Sequence, residues 1–231
     1  MEKCLPVQPR AVRSFVLRQG RLTPGQNRAL SQLWPKYGLN PGTSSWDFDT
    51  LFQRKAARIL EIGTGNGHHL LELAAQNPHQ DFLGIEVHRP GIGQLLSLAQ
   101  ERGLNNIRII HGDAMEILSL NMPAHSLEGL FLLFPDPWPK KRHHKRRIVN
   151  EVFVRHVAGA LHHGGFFAVA TDWADYARHI EAVMANIPLF VPLPPTAVEN
   201  FFAQQTPTKY EQRGIRSGRE IQRFMFKLNM I

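Results

Sequence analysis

Four acids stand where apolar runs end, and glycine or proline accompanies three of them. Glu61 precedes the turn in Leu60-Glu61-Ile62-Gly63-Thr64-Gly65-Asn66-Gly67. Glu86 and Asp113 close the next two apolar runs, and Asp136 is held between prolines in Phe134-Pro135-Asp136-Pro137-Trp138-Pro139. Glycines after a first strand, here Gly63 and Gly65, let the backbone turn tightly and approach a ligand. Their spacing is G-x-G-x-G, not the G-x-G-x-x-G of dinucleotide binders, and an acid beside them would repel a pyrophosphate. That combination suits a cationic ligand such as the aminoacyl sulfonium of S-adenosylmethionine. Glu86 is then placed to accept from both ribose hydroxyls, and Asp113 from an adenine amino group. Each feature has a plain alternative: an ordinary strand–helix turn or an NAD site for the glycines, a solvated strand-end carboxylate for each acid. Acids at three successive strand ends favour S-adenosylmethionine.

The reacting group is expected on the fourth run. Asp136 between two prolines has little backbone freedom and arrives beside the cofactor's methyl group; the alternative is a proline-rich turn with a solvated acid. Trp138 is suited either to stacking on a base or to core packing. The block Lys140–Arg147 holds six Lys or Arg, two His and no acid, which suits a phosphate cradle better than a merely solvated face. Thr171-Asp172-Trp173 puts another acid at the rim, and Thr206–Gly214 offers hydroxyls, an aromatic and charges of both signs in an expected loop. Twelve histidines invite a metal reading, but no Cys–His spacing for zinc exists, and no metal is expected.

These groups need a scaffold that brings strand ends together. Strand-length apolar runs lie at Arg58–Ile62, Asp81–Val87, Ile107–His111, Leu127–Phe134 and Phe166–Thr171. Helical stretches separate them at His68–Gln76, Gly91–Arg102, Ile148–His163 and Trp173–Asn186, the third ending at Gly164–Gly165. Nearly unbroken apolar strands alternating with helices predict an α/β fold, a mostly parallel doubly wound Rossmann-like sheet with helices on both faces. Such a sheet binds ligands at the carboxyl ends of its strands. Glu220–Leu228 alternates well enough for an edge strand. Residues 1–46, rich in proline with one short helix near Gly25–Trp34, are expected as a basic extension, and residues 47–231 as the catalytic domain.

The bulk properties narrow the partners. With 231 residues, 43% of them hydrophobic, one compact domain is expected. The chain carries 27 Lys and Arg against 19 Asp and Glu, a net charge of +8 and a pI near 10.1, which favours a polyanionic partner. The excess sits on the appendages: seven bases and one acid in residues 1–46, six bases and two acids from Pro207 onward, and the block at 140–147. Cys4 is the only cysteine, which excludes an internal disulfide and fits a reducing compartment. The N-terminus has no long apolar stretch, so no signal peptide and no membrane span are expected, and a cytoplasmic location is.

Taken together, RSFVLRQGRLTPGQNRAL (13–30), LEIGTGNG (60–67), GIEV (84–87), GDA (112–114), FPDPWPKKRHHKRR (134–147), TDW (171–173) and TKYEQRG (208–214) resemble the bacterial tRNA (guanine-N7-)-methyltransferases. The resemblance runs from Arg13 through nearly the whole chain; its 136–147 and 208–214 segments are specific to that family, whereas the glycine loop is generic to methyltransferases. It implies S-adenosylmethionine as methyl donor and a guanine in the tRNA variable loop as target. It further implies that Glu61, Glu86, Asp113 and Asp136 contact the cofactor, with Asp136 also catalytic. Lys140, Asp172, Thr208, Lys209, Tyr210 and Glu211 would contact substrate, and the stretch Arg142–Arg147, including Lys145 and Arg146, the RNA. Thr64 and Asn66 depart from the Phe and Met expected at those places. Two rivals are a small-molecule methyltransferase, which needs no basic block, and a catalytically silent tRNA binder, which has no need of Asp136. Either a monomer or a homodimer is compatible with the sequence.

Overall fold

The computed structural model describes residues 13–16 and 20–229. Cys4, with the rest of residues 1–12 and residues 17–19 of the basic N-terminal extension, lies outside the described residues. Eight strands form one sheet: β1 (Gly38–Leu39), β2 (Arg58–Ile62), β3 (Asp81–Glu86), β4 (Ile107–His111), β5 (Leu127–Leu133), β6 (Leu161–Thr171), β7 (Phe190–Pro192) and β8 (Gln222–Leu228). Their spatial order is β1-β4-β3-β2-β5-β6-β8-β7, with β8 antiparallel to both neighbours and every other pair parallel. The order reverses at β2, which pairs with β3 on one side and β5 on the other. A doubly wound sheet opens its ligand crevice at that reversal.

Ten α-helices accompany the strands among the described residues: α1 (Pro24–Gln32), α2 (Trp34–Tyr37), α3 (Phe48–Phe52), α4 (His68–Gln76), α5 (Arg89–Glu101), α6 (Ala114–Leu120), α7 (Glu151–Ala160), α8 (Ala174–Ala185), α9 (Pro195–Ala203) and α10 (Lys209–Arg216). The sheet buries both faces, as unbroken apolar strands require. Strand alternation divides the core: Leu60 and Ile62 of β2 join the cluster with Phe153, Val157 and Tyr176, while Ile59 joins Leu70, Leu71 and Leu95 on the other side. Glu61 shares the face of Ile59 and therefore meets α4. Residues 24–39, within the basic N-terminal segment, are tied to this body: a capping box on Thr23 starts α1, and β1 pairs with β4.

Three sequence expectations need correction. The helix expected to run to His163 ends at Ala160, and Leu161 is already extended. Gly164, at φ +82, and Gly165 lie inside β6, where the pairing with β5 shifts register between Leu127 and Gly129. The glycine pair marks a bulge, not a helix end. Second, β8 is interior, because the three-residue β7 closes the edge with Pro192. So short a strand has no period to announce it. Third, the loop expected over 206–214 is mostly helix: Thr208 caps α10, its hydroxyl accepting from Glu211 N at 3.1 Å.

Candidate functional site

The glycine loop leaves β2 and enters α4 with Gly63, Gly65 and Gly67 at φ +78, +56 and +78. Only glycine adopts that sequence of left-handed turns without strain. The faces of Gly63 and Gly65 that a side chain would occupy are open, whereas Gly67 packs against Leu95 of α5. Gly91, at the start of α5, is the glycine that sequence reasoning missed. A Cβ there would sit 2.4 Å from the carbonyl oxygen of Gly65, so α5 approaches the loop only because residue 91 has none.

Glu86 ties this loop down. It is 7% exposed, and Oε2 accepts from Gly65 N at 2.6 Å while Oε1 accepts from Val87 N and His88 N at 2.7 and 2.8 Å. Asp113 caps α6, with Oδ1 accepting from Met115 N at 3.0 Å. Glu61 is 3% exposed, and its Oε2 lies 2.8 Å from Nδ1 of His69 on α4. The residues fit an adenosyl ligand on three counts: open space over two glycines, a buried carboxylate at the end of β3, and a second acid at the end of β4 with one oxygen committed to its helix.

The Pro-Asp-Pro turn follows β5 and is framed by two bulky residues in left-handed conformations, Phe134 at φ 54 and Trp138 at φ 47. Such outliers concentrate at functional sites, where surrounding contacts hold them. Phe134 N donates to Ala170 O at 2.8 Å, and the Trp138 indole N–H donates to Ser14 O at 3.1 Å. The Arg146 guanidinium lies 4.9 Å from the Trp138 ring centroid and His143 meets the ring edge-on, so both contacts engage Trp138 within the protein. Asp136 is exposed at the apex.

Lys141–Arg146 form a 3-10 helix. Lys140, Lys141, Arg142 and Lys145 are exposed and Arg146 is half-buried. Loss of hydration, with Arg142, Arg146, Lys140 and Lys145 around it, holds His143 below the usual histidine value. Arg147 separates from the others: it is 4% exposed and bonds within the protein. A cavity of about 710 Å³ joins the block to the strand ends, lined by Arg13, Asp113, Lys145, Arg146, Arg147 and Ile148 among others, Arg147 presenting only the 4% of its surface that is exposed.

The third group sits beside β6 and β8. Asp172 Oδ2 accepts from Arg219 at 2.7 Å, and Glu211 is paired with Arg223. Gly214 of α10 packs on Asp172, where a Cβ would lie 3.2 Å from the aspartate's own. Thus α10 packs on Asp172 through Gly214, with Thr208 and Glu211 at its N-terminal end and Lys209 and Tyr210 exposed on the same helix. The two arginines were missed because nothing in the spacing links Asp172 to a residue 47 positions on. Among the described residues, no three His, Cys, Asp or Glu side chains gather as a metal site, and no helix is long and apolar enough to cross a membrane.

Comparison with known proteins adds an independent line. A family model described as "Putative methyltransferase" matches residues 55–224. A tRNA (guanine-N(7)-)-methyltransferase of Nitrosococcus oceani is 49% identical over 220 residues, covering 95% of this chain and 92% of the relative. The protein of that name from Alkalilimnicola ehrlichii is 51% identical, covering 92% and 90%. Among solved structures, the 16S rRNA methyltransferase KamB matches with a TM-score of 0.56 at 17% identity, covering 82% of this chain and 96% of that one. TrmN from Thermus thermophilus matches with a TM-score of 0.52 at 16% identity, covering 88% and 48%. At these identities the structural likenesses establish the methyltransferase fold alone.

Proposed function

The chain belongs to the tRNA (guanine-N(7)-)-methyltransferase family, and on that premise we propose that it methylates N7 of a guanine in the variable loop of tRNA, with S-adenosylmethionine as donor. The observation that carries this reading is the juxtaposition of a glycine loop, a strained Pro-Asp-Pro turn and an exposed cationic block at one end of the sheet. A small-molecule methyltransferase has no use for the last of these.

The chemistry asks little of the protein beyond alignment. S-adenosylmethionine supplies the methyl group: the N7 lone pair forms the new bond as the carbon–sulfur bond breaks, the electron pair passes to sulfur, and no proton is transferred. No general base is therefore needed, and positioning alone contributes on the order of 7–11 kcal/mol. Positive charge moves onto the purine, so the fixed carboxylate of Asp136 stabilises it as it develops and can accept guanine N–H groups. Glu86 and Asp113 would hold the donor, with Glu61 paired to His69 at the base of the loop that seats it. Asp172 and the N-terminal end of α10 hold the nucleotide. Lys140, Arg142, Lys145 and Arg146 meet phosphates, which position the RNA without reading its sequence. N7 lies on the major-groove edge of guanine, and where the RNA fold covers that edge its exposure costs on the order of a few kcal/mol, as in base flipping.

Incubation with labelled S-adenosylmethionine and bulk tRNA, followed by mapping of the modified base, tests the proposal. Label at guanine N7 in the variable loop is the expected result. Label confined to another base, or absent from tRNA, rejects it.

A further inference from the structure

Arg147 closes a run of cations, and in sequence it is indistinguishable from Arg146 as a phosphate contact. Its surroundings are different. The side chain is 2% exposed. Its Nε donates to the carbonyl of Pro137 at 2.9 Å, and one terminal nitrogen donates to Asp175 Oδ2 at 2.5 Å and lies 3.1 Å from His144 Nε2. The guanidinium carbon lies 5.0 Å from the ring centroid of Tyr176, a fully buried side chain whose hydroxyl accepts from Val149 N at 3.3 Å. A guanidinium so enclosed does not reach a phosphate without giving up its bonds to the Pro137 carbonyl and to Asp175.

What it holds is the turn that carries Asp136. Proline has no N–H, so the carbonyl is the only backbone handle Pro137 offers, and Arg147 takes it. The turn needs holding, because Phe134 and Trp138 occupy left-handed conformations that bulky side chains rarely adopt. Phe134 is fixed by β6 and Trp138 by Ser14. Between them, the Pro137 carbonyl is held from α8 through Arg147 and Asp175. The ion pair also keeps the Asp175 carboxyl below the ordinary carboxylate range, the Arg147 hydrogen bond being the principal cause.

We propose that Arg147 is a positioning residue: anchored on Asp175, it fixes the Pro135-Asp136-Pro137 turn through the carbonyl of Pro137 and makes no contact with RNA. The proposal rests on the reading of Asp136 as the catalytic residue. It divides the cationic block in two, with Arg142, Lys145 and Arg146 facing RNA and Arg147 facing the turn.

Arg147→Lys separates the alternatives, because it preserves the charge while losing the planar fork that joins Pro137 to Asp175. Asp175→Asn leaves Arg147 in place and weakens its anchor, which keeps the test open if the lysine variant folds poorly. For both, turnover at saturating tRNA and cofactor should fall tenfold or more, while tRNA affinity and its salt dependence stay at wild-type values. The double variant should be little worse than Arg147→Lys alone, since both changes break one bridge. Amide exchange at Phe134, Asp136 and Trp138 should quicken in each variant and be unaffected elsewhere. Wild-type turnover in Arg147→Lys, together with a salt slope flattened in Arg147→Ala, would return Arg147 to the RNA face and overturn the proposal. The exchange measurement does not depend on catalysis. If Asp136→Asn stays active while exchange in the turn still quickens, the catalytic reading of Asp136 fails and the clamp stands; unchanged exchange in both variants overturns the clamp itself.

Discussion

His69 Nδ1 lies 2.8 Å from Glu61 Oε2, and the two side chains are 3% and 4% exposed, which makes them a nearly sealed acid–base pair behind the glycine loop. Burial alone pushes a histidine toward its neutral form. Here the Glu61 charge and hydrogen bond outweigh that pressure and hold His69 above its ordinary value of 6.5. Alternation along β2 turns Glu61 toward α4, and α4 brings His69 to meet it in its first turn. The acid that precedes the glycine loop is therefore oriented by a neighbour on the next helix.

A histidine whose pKa is higher folded than unfolded adds stability below its unfolded value and loses it as pH rises through the folded one. The stability margin of the native protein over a His69→Gln variant should therefore be greatest near pH 6 and shrink toward pH 9. Denaturant unfolding of both proteins at several pH values measures it. A margin that does not vary with pH would show that the pair does not titrate on folding.

Glu86 ties down the glycine loop, and the cofactor contact proposed for it is tested apart from that structural duty. Its oxygens accept from three backbone amides, one of them Gly65, so Glu86→Ala orphans buried donors and should lower the melting temperature. Glu86→Gln keeps the volume and one acceptor oxygen. In both, affinity for S-adenosylmethionine should fall by ~1.5–3 kcal/mol, one to two decades in Kd. Titration calorimetry beside thermal melts reads the two effects. Unchanged cofactor affinity with a lowered melting temperature would reduce Glu86 to scaffolding.

The sheet was legible because apolar runs of strand length, each followed by a helical period, admit few topologies. The acids at strand ends were legible for the same reason: Glu61, Glu86 and Asp113 follow from where the strands stop. What stayed hidden depends on long-range packing. The seven-residue α6 is too short to show a period, so Asp113 did not register as its cap. Arg219 and Arg223 meet Asp172 and Glu211 only through the pairing of β8 with β6. Most instructive is the cationic run, in which composition treats Arg146 and Arg147 alike. Arg147 leaves the 3-10 helix at φ −58 and ψ 127, and that single extended residue turns its side chain from the surface into the protein.

Asp136→Asn should fold normally and bind tRNA, because the residue is exposed at the apex of its turn. Turnover should fall by roughly a hundredfold or more, the usual cost of removing one preorganised electrostatic stabiliser. Single-turnover rates decide it, with cofactor affinity measured alongside. A rate within a factor of a few of wild type would show that Asp136 is not catalytic; an unchanged rate with weakened cofactor binding would leave it as a cofactor contact.

The remaining cations test how RNA is held. Arg142 and Lys145 are exposed and Arg146 is half-buried over Trp138, whereas Arg147 is enclosed and is left intact here. Each side chain that neutralises a phosphate releases condensed counterions on binding, so a triple Ala variant at 142, 145 and 146 should flatten the slope of log affinity against log salt by up to about one unit per residue removed. Affinity should fall alike for every tRNA, because phosphate contacts position without specifying. Cofactor affinity should hold, since the glycine loop and Glu86 lie outside the substituted segment. Arg146 adds a complication, because its loss also uncovers one face of Trp138; the double variant at 142 and 145 isolates the purely electrostatic part. A salt slope equal to wild type in both variants, with tRNA still methylated, would move the phosphate contacts away from this block and onto the basic N-terminal arm.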